Sequence, residues 1–146
     1  MLLRDERQVA LNDVETLCIE AADRHEAAAR RIGDDALARL LGGLAALRRR
    51  QAGELAQVIR ASGDLPNAPD RDRQDVRELL SMVMPVLTGD ERINLINEAE
   101  RIEDKLEQAL AAALAFSFPP PGHALLVDID ASVRAARRSL AEQRPA

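Results

Sequence analysis

Apolar residues recur at steps of three and four along nearly the whole chain, the spacing that gathers them on one face of a helix. Leu11, Val14, Cys18, Ala21, His25, Ala28 and Ile32 form the first such stripe. The run "IGDD" breaks it, with Gly33 suited to end one helix and Asp34 to cap the next. Leu37, Leu41, Leu44, Gln51, Leu55 and Val58 predict a second helix, which ends near "ASGDLPNAPD", where Gly63, Pro66 and Pro69 mark a loop. "RQDVRELLSMVMPVL" predicts a shorter helix that Pro85 kinks or ends. "TGDE" then restarts the periodicity, with Thr88 or Asp90 as cap and acids placed well for the helix dipole. A third long stripe runs through Leu95, Ile96, Ala99, Ile102, Leu106, Leu110 and Ala113 to "FPPPGH", which no helix can cross. Leu126, Ile129, Val133, Ala136 and Leu140 make the last. No stretch alternates as a strand would. The expected fold is all-α: one domain over residues 1–146, a four-helix up-down bundle with a short extra helix in the long crossover.

Composition narrows what such a bundle can do. Aromatics make up 1% of the residues, with two Phe and no Trp or Tyr, so the core is built from Leu, Ile, Val and Ala. Stacked nucleobases, sugar platforms and most cofactor pockets need the rings this chain lacks. A formal net charge of -5 argues against nucleic acid as a partner, and "LRRRQ" at 47–51 is too short to reverse that. A lone cysteine, Cys18, excludes an intrachain disulfide and fits a reducing compartment. The start "MLLRDERQ" carries no apolar signal core, and no apolar run approaches the roughly 18 residues that a membrane span requires. A cytoplasmic protein without membrane partners is the expectation.

Polar residues intrude on two of the stripes. Arg48, Gln51 and Glu54 fall near the middle of the second, where long polar side chains need partners because an unpaired buried charge costs several kcal/mol. On the third helix "NEAERIEDKLEQAL" is dense in acids. Glu103 lies inside the edge of the apolar stripe, Glu98, Glu100 and Glu107 lie at its margins, and Asp104 points away. Most of these acids read as a solvated face, with Glu103 the exception.

"LNDVETL", "RRRQAGELAQVI" and above all "LTGDERINLINEAERIEDKLEQAL" resemble a bacterial ferritin-like family of unknown function, over about Leu11 to Leu140. "EAERIED" resembles that family's acidic signature, with Glu100 and Glu103 on its two principal acids. The resemblance implies a ferritin-like bundle, sometimes linked with stress responses, and carries no activity.

A di-iron bundle needs inward carboxylates from four helices, two of them reinforced by His three residues later. Matching levels across antiparallel helices places Gln51 and Glu54 opposite Asn12 to Glu15, and Glu100 and Glu103 opposite Arg137 to Leu140. Any metal ligands would therefore be Glu15, Glu54, Glu100 and Glu103. The last helix, however, offers Val133, Ala136 and Arg137, and neither His25 nor His123 follows a Glu at the required step. The expectation is a degenerate site: a buried polar layer of Arg48, Gln51, Glu54, Glu103 and Arg137, with the arginines in the space of the cations and neither metal nor cofactor bound.

Functionally this points to a non-enzymatic helical bundle acting through protein contacts with an unidentified partner and as a homo-oligomer, a dimer in the simplest case. Residues Val76, Leu79, Leu80, Val83 and Val86 of the crossover are the expected subunit contact. One alternative is a metal-binding or peroxide-handling carboxylate protein. Another is a phosphotransfer or signalling bundle built on His25 and Glu26, although His25 shares a buried stripe with Cys18, which favours a hydrogen-bonded core histidine.

Overall fold

The computed structural model describes residues 5–33, 35–64 and 88–145. They form four helices and, among the described residues, no strand: α1 (Glu6–Ile32), α2 (Ala36–Ala61), α3 (Gly89–Leu114) and α4 (Pro120–Glu142). The expected short crossover helix, with the subunit contact assigned to Val76, Leu79, Leu80, Val83 and Val86, falls outside the described residues.

Local chemistry sets the helix ends. Asp5 opens α1 with a capping box: its carboxylate accepts from the Gln8 N–H at 2.8 Å, and the Gln8 side chain accepts from the Asp5 N–H at 3.0 Å. Gly33 ends α1 at φ 89°, a conformation that favours glycine, and its N–H donates to the Ala29 carbonyl. The cap of α2 is Asp35, which accepts from the N–H groups of Leu37 and Ala38; its neighbour Asp34 lies outside the described residues. Thr88 caps α3 by accepting from the Glu91 N–H, with Asp90 and Glu91 in the first turn. The prolines of "FPPPGH" do more than stop α3. Pro120 and Pro121 form the first turn of α4, where an absent N–H leaves nothing unpaired.

Cross-helix pairs give the directions. Arg31 meets Glu91 and Arg24 meets Glu98, so α1 and α3 are antiparallel. Arg48 meets Ser132 while Val58 packs at Gly122, so α2 and α4 are antiparallel too. A Cβ on Gly122 would come within 3.3 Å of the Val58 side chain, which shows how closely those backbones approach. Around the bundle the order is α1, α2, α4, α3, with α2 and α3 facing each other across the centre. Asp64 lies beside Asn12 near the start of α1, whereas α3 starts beside the end of α1. The sense is therefore up-down-down-up, and strict alternation does not hold.

The core falls into two apolar clusters. One holds Leu11, Val14, Cys18, Leu55, Ile59, Leu106, Leu110, Leu126 and Ile129, with Phe116 and Phe118 against it. The other holds Leu37, Leu41, Leu44, Ile96, Ala99, Ala136 and Leu140. Between them every helix turns a polar side chain inward.

Candidate functional site: a buried arginine layer

Arg48 stands at the centre of the inward stripe of α2, flanked by Leu41, Leu44, Leu55 and Ile59, so the helix that buries those residues carries its guanidinium into the middle of the bundle. Arg48 and Glu103 are both 0% exposed and His25 is 1% exposed. Arg48 Nε donates to Glu103 Oε2 at 3.1 Å while Nη2 donates to Glu103 Oε1, the side-on geometry that matches a planar fork to a carboxylate. Its Nη1 donates at 2.7 Å to both Gln51 Oε1 and Ser132 Oγ. The Gln51 amide donates to Ser132 Oγ, whose own hydroxyl donates to the Ile129 carbonyl at 2.6 Å. From α1, His25 Nε2 lies 3.1 Å from Glu103 Oε2. An ionised carboxylate only accepts, so the imidazole donates through Nε2.

Glu103 remains charged here. Burial alone would push its carboxyl up, but hydrogen bonds from His25 and Arg48, with the charge of Arg48, together hold it below the usual carboxylate range. Cys18, sealed in the apolar cluster beyond, has its thiol pushed up to about 12, chiefly by burial, which makes it an inert small hydrophobe.

Two residues expected in this layer are not in it. Glu54 stands about 120° around α2 from the centre of the stripe at 100° per residue, and it is exposed and paired with Arg50. Arg137 occupies the right level but follows the buried Ala136 on the flank facing α3, so its head reaches water and pairs there with Glu107 and Asp104. The other proposed metal ligands also separate. Glu100 turns outward to Arg144 at 2.8 Å. Glu15 is buried, but it lies ten residues before His25, about 15 Å along α1 at 1.5 Å per residue. The level-matching between α1 and α2 is therefore corrected: the α1 residue opposite Arg48 is His25.

His25 and Ser132 are the members of the layer that sequence reasoning missed. His25 was legible as a core position without its partner. Ser132 sits three residues after Ile129 on the flank of α4 that faces α2, a signal too weak to single out one serine among five.

The donors present do not fit a di-metal centre. Among the described residues no three of His, Cys, Asp or Glu converge as a metal cluster would require. Glu103 is the one carboxylate in the layer, and both of its oxygens are engaged by Arg48. Two indentations lined by described residues lie away from the layer. An indentation of about 350 Å³ at the end of the bundle is lined by Leu11, Val58 and Phe118 with Asp5 and Arg7 at its rim, and a shallower one between α1 and α3 involves Asp13 and Lys105. No family model matches the chain, and no curated protein or solved structure is significantly similar to it.

Proposed function

We propose that this protein is a non-enzymatic, ferritin-like helical bundle whose interior metal site has degenerated into a salt-bridged layer, and that it works through contacts with other proteins, a second copy of itself among them. One observation carries the reading: the polar cluster at the centre of the bundle, Arg48 with Glu103 and His25, is sealed from solvent and already paired. A catalyst or a phosphoacceptor must meet its substrate, and these groups are engaged with one another and with Gln51 and Ser132. Two antiparallel hairpins joined by one connection from end to end is an arrangement that ferritin-like bundles use, which supports that part of the reading. The Arg48 guanidinium then supplies the positive charge that cations supply in a di-metal bundle, with one carboxylate in place of four.

The test is elemental analysis of protein purified without chelator, combined with light scattering. The expected result is substoichiometric iron, manganese and zinc and a mass above that of one chain at high micromolar concentration. Two transition-metal ions per chain overturn the degenerate-site reading; a strictly monomeric mass overturns self-association.

A further inference from the structure

The bundle consists of two hairpins, α1 with α2 and α3 with α4, and each is closed by a connection of a few residues that fixes its own register. The connection between hairpins is different. Residues 65–87 separate Asp64 from Thr88, and a link of that length does not by itself set how far one hairpin slides along the other.

Apart from the close approach of Gly122 to Val58 at one end, apolar packing discriminates poorly between such alignments. The inward stripe of α2 repeats leucine at Leu37, Leu41, Leu44 and Leu55, so a slide of seven residues brings Leu37 to the level of Leu44. Leucine-rich cores with few rings leave packing under-specified. The polar layer behaves otherwise. His25 to Glu103, Arg48 to Glu103, Arg48 to Ser132 and Gln51 to Ser132 all cross from one hairpin to the other. A slide of even one turn, about 5.4 Å, removes all of them together and leaves a guanidinium and a carboxylate each facing a leucine cluster. Arg24–Glu98, Arg31–Glu91 and Arg92–Asp35 also cross between hairpins, but each has one partner with 40% or more of its side chain exposed, so water can take the place of the other.

We infer that this layer is a register key: its role is to select one axial alignment of the two hairpins by making every other alignment bury unpaired charge. Single buried polar positions act in the same way in coiled coils, where they fix register at a cost in stability. The inference is independent of whether the bundle acts through protein contacts.

The test uses the full chain with Cys18→Ala and spin labels on Arg60→Cys of α2 and Arg138→Cys of α4, both exposed and on opposite hairpins. Double electron–electron resonance is recorded with the layer intact and with His25→Leu, Arg48→Met, Gln51→Leu and Glu103→Leu combined. The intact layer is expected to give one distance. The apolar layer is expected to keep its helicity and its denaturation midpoint, or to raise the midpoint, while the distribution gains a component displaced by about 5 Å or more, at least one turn. A single unchanged distance in the apolar variant overturns the inference. So does failure of that variant to fold, since the layer would then be a source of stability and not a selector.

Discussion

Glu103 and Glu107 stand one turn apart on α3, and each is held by an arginine from another helix, Arg48 from α2 and Arg137 from α4. The groups are the same, but their surroundings are opposite. Arg48 and Glu103 have no exposed side-chain surface, whereas Arg137 and Glu107 keep 44% and 32% of theirs. Water can replace either partner at the rim, so losing Arg137 leaves a hydrated carboxylate that costs almost nothing. At the centre water does not reach to replace Arg48, so its loss leaves the Glu103 carboxylate buried with His25 as its remaining donor. Burial, and not the identity of the pair, makes one of them structural.

The sharpest way to break this contrast is to truncate each arginine. Arg48→Ala is expected to cost about 3–5 kcal/mol in urea denaturation, the range for leaving a buried charge without its partner. Equal losses from Arg48→Ala and Arg137→Ala would mean that the layer is wetter than its geometry. Acid gives the next largest effect. The folded-state pKa of Glu103 is depressed, so its contribution is fully present above the ordinary value of 4.5 and fades as pH falls through the lower folded value. The stability gap between the native protein and Glu103→Gln should therefore be constant from neutral pH to about 5 and shrink below 4.5. Urea midpoints at several pH values would show this, and a gap that persists to pH 2 would place the acid sensitivity elsewhere. Removing both charges should be milder than removing one: Arg48→Met with Glu103→Leu is expected to recover most of the Arg48→Ala loss, as read from the same urea curves. At the rim, Arg137→Ala and Asp104→Ala should each change stability by less than about 1 kcal/mol.

Much of this could be read along the chain because helical periodicity reports faces directly. The four long stripes, the Gly33 stop, the Thr88 cap and the burial of Arg48, Gln51 and Glu103 each follow from one residue's place on its own helix. Pairing does not. Whether Glu103 meets Arg48 or Arg137 depends on which helices are diagonal and on axial offsets between them, and an error of three turns along α1 exchanged His25 for Glu15. Glu54 failed for a local reason: the buried Ala52 pulls the stripe away from it, a shift of tens of degrees that counting apolar residues does not resolve. Ser132 is legible only once α4 is known to turn that flank towards α2.

The two short turns also have a kinetic consequence. Each hairpin brings together residues close in sequence, so α1 with α2 and α3 with α4 involve little loop-closure entropy and are suited to forming early. Contacts between hairpins must wait until the long connection has closed. Arg48, Glu103 and His25 meet only at that last docking, when the leucine faces are already collapsing. Truncating one of them, as in Arg48→Ala, should leave the folding rate nearly intact and speed escape from the native state, whereas making the whole layer apolar should leave both rates near their native values.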